Sequence, residues 1–250
     1  MNLFLKSIVT SLYSAATLKK NAKNGLRVLM YHSVAKEDSL DDIWSIGSTS
    51  FTEHLTYFCG DKDINLYSCT DLILENPKDG IMITFDDGYR NNFEIAAPLL
   101  FKFKIPFSIF VITNYIKKAK KNYMDETMLK ELAEHPLVSI GSHSQSHARL
   151  TKCSPKELTN EISGSKSYLE DLLGMPIDLF SYPHGEINSA VRSEVLASGY
   201  KLGFSSHYDI NKKNQDKLKL NRNEIWNTDN LSTLKKKLQG DFDWLKYRSL

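Results

Sequence analysis

Cysteine is scarce: Cys59, Cys69 and Cys153 are the only three in 250 residues, widely spaced and odd in number. That pattern builds neither a disulfide framework nor a paired-cysteine metal knuckle, and it fits a reducing compartment without excluding an oxidising one. A surplus of one charge is also missing, because 32 basic and 30 acidic residues leave a formal charge of +2. This argues against a general nucleic-acid binder, whose affinity rests on excess Lys and Arg facing phosphates. Nor is there a long hydrophobic run at the N-terminus. The opening MNLFLKSIVTSLYSAATLKK is interrupted by Lys, Ser, Thr and Tyr and is too short and polar to span a bilayer.

What the N-terminus does carry is Leu3, Phe4, Ile8, Val9 and Leu12 at near-helical spacing, with Lys19, Lys20 and Lys23 behind them. The stretch reads as a helix packed on the domain, as a peripheral membrane anchor, or as a weak signal segment. We therefore divide the chain into an N-terminal segment, 1–24, and a main domain, 25–250. A cytoplasmic or membrane-peripheral protein is expected, with an exported form also compatible. Two basic clusters, KKAKK (Lys117, Lys118, Lys120, Lys121) and Lys235 to Lys237, read as solvated faces or as contacts to an anionic surface.

Apolar runs at 27–31, 64–67, 81–85, 106–112, 138–141, 178–182, 202–205 and 220–225 are strand candidates. Several are continuous, as a parallel strand covered on both faces should be. Helices are punctuated between them. Ser154, Pro155 and Glu157 form a capping box before a pattern that stops at Gly174, and Ser50 with Glu53 repeats the device. Asp125, Asn92, Asn188 and Leu231 open further helices. The alternation predicts one α/β domain of barrel type, in which functional residues gather at the C-terminal strand ends. Tyr31-His32, Asp86-Asp87, Gly141 to His143 and Tyr182 to His184 then share one mouth.

The stretch GSHSQSH supplies His143 and His147, four apart; in a helical turn this stacks two imidazoles roughly 6 Å apart, within reach of one metal ion. Alone, the pair is equally a set of exposed loop histidines. With the carboxylates of TFDDG at another strand end, it makes a two-imidazole, one-carboxylate set that leaves a divalent cation open positions. A cation also explains how adjacent Asp86 and Asp87 remain ionised. Helix capping is the plainer account of either Asp.

These segments together resemble the polysaccharide deacetylase (NodB-homology) family of metal-dependent carbohydrate esterases, carbohydrate esterase family 4-like. The resemblance runs from about Val28 to the end, on MYHSV (Met30 to Val34), TFDDG (Thr84 to Gly88), His143-Ser144 with His147, and the Tyr182-Pro183-His184-Gly185 turn. It implies a distorted (β/α)7-8 barrel that hydrolyses an N-acetyl group from an amino sugar, in a surface polysaccharide, glycolipid or activated-sugar precursor. Carried over by position, Asp86 resembles the general base, Asp87, His143 and His147 the metal ligands, and the His184 main-chain N–H the oxyanion donor. Zn2+ is the implied ion, with Co2+, Ni2+ or Mn2+ able to serve.

Two departures stand out. Ser181 occupies the place of the family's base-orienting arginine, and no late histidine follows His207 to act as acid. His32, His184 and His207 remain as candidate acids, His32 also as a substrate contact, each against a bland role as lining or loop histidine. Tyr182, Pro183, Arg222 and Trp44 are candidate substrate contacts. Arg222 alternatively orients Asp86 in place of the missing arginine, or is a packing residue; Trp44, near Asp41 and Asp42, alternatively anchors its loop. Tyr31 and Tyr89 are cleft or packing residues, and Asn91 or Asn92 is read as a helix cap. The expected partner is an N-acetylated saccharide and not a nucleic acid. Rival functions are a catalytically weak glycan-binding member of the fold, an O-acetyl esterase, and an assembly protein docked through 1–24.

Overall fold

Runs such as LRVLMY and GIMITF show water no polar face, so each needs cover on both sides. The computed structural model describes residues 25–37, 42–75 and 78–247 together with Thr10 and Tyr13; the rest of the 1–24 segment, and Asp41, lie outside the described residues. In chain order the elements are β1 (Leu26–Tyr31), β2 (Ser33–Ala35), β3 (Ser45–Gly47), α1 (Ser48–Gly60), α2 (Cys69–Leu74) and β4 (Gly80–Phe85). A π-helical turn (Asn92–Ala96) leads into α3 (Ala97–Phe103), followed by β5 (Phe107–Val111), α4 (Thr113–Lys117), α5 (Glu126–Ala133) and β6 (Val138–Ser142). Then come α6 (Pro155–Leu173), β7 (Leu179–Ser181), α7 (Ser189–Ala197), β8 (Leu202–Phe204), β9 (Asn223–Glu224) and α8 (Leu231–Leu238).

Seven strands form a parallel sheet in the order β8-β7-β6-β5-β4-β1-β9. The sheet is curled and nearly closed by one short segment. Leu220 bridges Phe204 on β8, and three residues on, Asn223 and Glu224 pair with Leu29 and Met30 on β1. The result is the distorted, partly open barrel that the alternation predicted. Across its interior, Phe110 of β5 meets Phe204 of β8 at 5.0 Å between ring centres, although two strands separate them in the sheet. Leu26, Val28, Met82, Leu179, Leu202 and Leu220 fill the same interior. The opposite strand faces, with Leu29, Ile83, Ile109 and Phe180, pack under helices through Phe51, Leu55, Leu129 and Ile162. Each such side chain contributes about 1.5–3 kcal/mol on burial.

Local signals succeed where no distant group competes. The Ser154–Glu157 capping box forms, Pro155 opens α6, and Gly174 ends it in a left-handed conformation. Asp125 and Asn188 cap α5 and α7. The Ser50–Glu53 box does not form: the helix starts earlier because Glu37 reaches across to the Thr49 N–H at 2.6 Å. The 64–67 run is not a strand. Only Leu66 bridges Ile81, since β1 and β5 already flank the rest of β4. Asn91 and Asn92 do not cap; their amides donate to Ser33 Oγ and the His32 carbonyl, both at 2.7 Å, holding the turn that carries His32.

Candidate metal centre

Strand period sets the first carboxylate. Met82 faces the barrel interior, so Thr84 and Asp86 do too, and Asp86 emerges at the strand's C-terminal end only 2% exposed. The chain then turns left-handed at Asp87 (φ 73°) and Gly88 (φ 76°). Gly88 is required there, because a Cβ would also lie 2.9 Å from Val111 Cγ1. This turn frees Asp87 from strand alternation and lets both carboxylates face the mouth.

The two histidines meet by a different route from the one their spacing suggests. Residues 143–149 are not helical; left-handed Ser144 (φ 62°) and His147 (φ 63°) fold the loop back on itself, leaving the rings 4.8 Å apart. Such conformations cost about 1–3 kcal/mol each in residues with a Cβ and cluster at functional sites. Asp87, Ser144, His147 and His184 here account for four of the seven among the described residues. The surrounding structure holds the loop. Glu161 on α6 accepts the Gln145 and Ser146 N–H groups at 3.0 and 2.9 Å and the Ser146 hydroxyl at 2.5 Å. His147 N–H donates to Ser144 Oγ, and Ser142 Oγ meets Ser165 Oγ at 2.7 Å.

One Asp87 oxygen lies 3.6 Å from Nε2 of both His143 and His147, and the donor atoms of all three residues fall within 4.8 Å of one another. Donors at about 2.1 Å around a tetrahedral zinc stand about 3.4 Å apart, so the set fits a divalent cation. His143 Nδ1–H donates to the Ser181 carbonyl at 2.8 Å, which turns the Nε2 lone pair toward the centre. Burial pushes His143 down to about 3 and His147 down to about 4, so both imidazoles are neutral and ready to ligate. Burial is likewise the main influence on Asp87, lifting its carboxyl to about 6 against the pull of His32.

Asp86 is treated differently. Arg222, fully buried, grips it with two bonds of 2.7 Å and also donates to Ser181 Oγ at 2.9 Å and the Ser205 carbonyl at 2.8 Å. Ser181 adds a bond of 3.1 Å to Asp86. Burial would raise this carboxyl, but Arg222 and then His143 outweigh it and hold Asp86 well below the usual carboxylate range. A charged carboxylate thus stands 3.8 Å from His143 Nε2, beside the ligand set.

The polysaccharide deacetylase family model matches residues 74–203, just over half of the chain and all of this constellation except Arg222 and Ser205. The chain belongs to that family. Among relatives of this family member, Bacillus subtilis YxkH is 27% identical over 214 residues, spanning 84% of this chain and 74% of that protein. The poly-beta-1,6-N-acetyl-D-glucosamine N-deacetylase of Staphylococcus epidermidis is 27% identical, with 74% of each chain covered. The Streptococcus pyogenes deacetylase PplD, solved with acetate, shares the fold at a TM-score of 0.78 and 22% identity, covering 86% of this chain and 98% of that one. Family membership and the Asp-His-His cluster support a metal-assisted hydrolase active site.

The remaining candidate residues separate into two groups. His32 is half-buried in the mouth, its ring tilted against Trp44 at 4.9 Å, and it acts electrostatically on both Asp86 and Asp87. His184, left-handed at φ 59° and exposed, has its ring 4.5 Å from His147. Tyr89 interacts with Asp87. Elsewhere the structure chooses between the alternatives. Arg222 orients Asp86 and is not open to a sugar. Tyr182 is fully buried and donates to the Leu218 carbonyl at 2.7 Å, and Tyr31 is buried with its hydroxyl 3.1 Å from His54; both pack the core because their strand positions face it. Pro183 is buried in its turn. No hydrogen bond, ion pair or ring contact among the described residues joins the His207 side chain to the carboxylates or the two imidazoles; its carbonyl accepts the Arg222 N–H at 3.0 Å. Glu161 carried no sequence signal beyond its place on an amphipathic helix.

Proposed function

We propose that this chain removes the acetyl group from an N-acetylated amino sugar by metal-dependent hydrolysis, in the synthesis of a surface polysaccharide, glycolipid or activated-sugar precursor. The observation that carries the reading is the convergence of Asp87, His143 and His147 beside a second carboxylate, Asp86, kept charged by a buried guanidinium. A relative named as an N-deacetylase supports the amide of an amino sugar as the bond cleaved. Asp87, His143 and His147 would hold the cation, Zn2+ first among Co2+, Ni2+ and Mn2+, and a bound cation supplies acidified water and a polarised carbonyl.

Asp86 accepts the proton of the attacking water. Its pairing with Arg222 makes it a weak base that stays charged at neutral pH, and the two-pronged grip aims it. The His184 main-chain N–H stabilises the oxyanion, a donor typically worth roughly 3 kcal/mol of barrier. His32, clamped by Trp44, protonates the leaving amine. Arg222 also removes one of the two grounds for reading the chain as an inactive glycan binder, the arginine absent at Ser181; the other was the unassigned acid. We take 25–250 as the catalytic unit and 1–24 as an N-terminal helix or peripheral anchor segment, in an enzyme of the cytoplasm or membrane periphery. Thr10, 5% exposed, accepts a bond from Trp244 Nε1 at 3.1 Å in keeping with docking. Among the described residues no helix is long and apolar enough to cross a membrane.

The test is acetate release from free, polymeric, nucleotide-linked and lipid-linked acetylated sugars with added Zn2+ or Co2+. Release with formation of a free amine is expected from at least one class. Release from O-acetyl esters alone, or unchanged metal stoichiometry in His143→Ala, overturns the reading.

A further inference from the structure

The basic run Lys117, Lys118, Lys120 and Lys121 has no part in the site above, yet the fold sets it on the rim of the mouth. It follows β5, which lies between β4 and β6, the strands that deliver Asp86, Asp87 and His143. Its loop is fastened to the carboxylate turn. Arg90 N–H donates to the Asn122 carbonyl at 2.8 Å, Met124 N–H to the Gly88 carbonyl at 3.0 Å, and Tyr89 and Tyr123 form an antiparallel bridge. Left-handed Ala119 and Asn122 turn the chain back over these bonds.

Side chains continue the connection. Tyr89, next to Asp87, stacks on Tyr123 at 5.0 Å; Tyr123 meets Tyr115 edge-on at 4.6 Å; Lys120 Nζ lies 3.5 Å from the Tyr115 ring centre. Three half-buried rings thus lead from a metal-site carboxylate to an ammonium group. All four lysines are exposed. Among the described residues none of them forms an ion pair, whereas Lys78, Lys166, Lys201, Lys237 and Lys246 do. In the other basic cluster Lys237 is buried against Asp229; Lys235 lies over the Tyr57 ring, as Lys117 lies over Tyr168 and Lys120 over Tyr115. Like charges gathered on one short run repel one another, a cost that a bound anion would offset.

We propose that this rim is a subsite for an anionic group, phosphate or carboxylate, carried by the sugar substrate itself a short distance from the acetamide. The proposal rests on the deacetylase reading for what reacts, but its own content is a charge preference in binding. The tyrosine ladder fixes the loop beside the carboxylate turn, and the lysines, as flexible point charges, receive the anion.

The test measures Kd by calorimetry on the full-length, zinc-loaded chain carrying Asp86→Asn, so that turnover does not consume the probe. The probes are chitotetraose, its 6-O-phosphorylated form and its 6-carboxylated form. At low salt at least one charged probe should bind roughly 10-fold tighter than the neutral one, an advantage of about 1.4 kcal/mol that 0.5 M salt removes. A gain confined to the phosphorylated probe assigns the subsite to phosphate; a gain with both assigns it to anions of either kind. The preference should vanish when Lys117, Lys118, Lys120 and Lys121 are all changed to Gln, and persist when Lys62, Lys156, Lys212 and Lys213, exposed elsewhere, are changed instead. Equal binding of all probes, binding of none, or a preference that survives the rim substitutions overturns the proposal. Acetate release by the wild-type chain is scored separately. Release without a charge preference refutes the subsite and keeps the deacetylase reading, while a preference lost with the rim lysines, but with no acetate released, supports the subsite and refutes that reading.

Discussion

Among the described residues two carboxylates are buried against cations, and the cations differ. Asp86, at the mouth, meets the planar fork of Arg222 through two bonds of 2.7 Å, with Ser181 on the same oxygen. Asp229, beneath α8, meets the Lys237 ammonium, which also donates to the Glu224 carbonyl at 2.6 Å and lies 3.8 Å from the Trp226 ring centre. A fork fixes the plane and direction of a carboxylate; an ammonium on a flexible stem does not. The first pair draws on β4, β7 and the segment before β9, and so aims a charge at the metal ligands. The second pair, with Glu224, Trp226 and the Phe242 ring about Lys237, clasps α8 to β9. Burying a charge costs several kcal/mol in either case; at the mouth that cost yields a directed base, and under α8 a fastening.

The comparison is broken most directly at Asp86. Asp86→Asn should lower kcat by roughly 10²- to 10⁴-fold while zinc per chain, read by atomic emission, stays at the wild-type value; turnover within tenfold of wild type would remove Asp86 from its role. Arg222→Met strands a buried carboxylate and should cost about 3–5 kcal/mol in urea unfolding. Arg222→Lys should recover much of that stability without recovering kcat, because one ammonium cannot reproduce the fork. At the second pair, Lys237→Met should cost a similar 3–5 kcal/mol. There, however, the double variant Asp229→Asn/Lys237→Met should regain stability with unchanged kcat, and a folded but inactive double variant would erase the distinction between the pairs.

Smaller effects sharpen it. Glu161→Gln should weaken zinc binding by roughly 10- to 100-fold in a chelator competition, with the thermal midpoint of the metal-free chain little changed. The smallest concerns His54, which sits within the electrostatic influence of Asp229 and is pushed by burial down to about 4. The native ring stays neutral where the unfolded one, with an ordinary value of about 6.5, takes up a proton. Its contribution is therefore complete above pH 6.5 and is lost as pH falls toward 4, about 2 kcal/mol of it by pH 5. Urea unfolding of the zinc-loaded protein at pH 7 and pH 5 should show a correspondingly smaller decrease in His54→Gln.

Much of the barrel was legible because its strands are continuous apolar runs and its helices carry their own caps. Ser154, Pro155 and Gly174 bound α6 as expected, whereas Ser50 did not start a helix because Glu37, eleven residues before Ser48, took the Thr49 N–H first. The ligand residues were readable as types and order, but the reason His143 and His147 meet was not. Their four-residue spacing suggests a helical turn, and the actual device is a pair of left-handed residues held by Glu161. Tyr182 and Arg222 looked alike as candidates for sugar contact. One is core and the other clamps Asp86, a difference that depends on which way a strand end faces once the sheet has curled.

By itself the sequence determined the alternation of strand and helix and the presence of two imidazoles and two carboxylates at strand ends. Only the tertiary structure decided which arginine serves Asp86, which tyrosines border the mouth and which lysines are left unpaired. Those choices depend on the 220–224 segment joining both edges of the sheet, which brings Arg222 to a carboxylate 136 residues away. Local periodicity reports the environment of each residue along its own element, and it carries no information about which distant element supplies that environment.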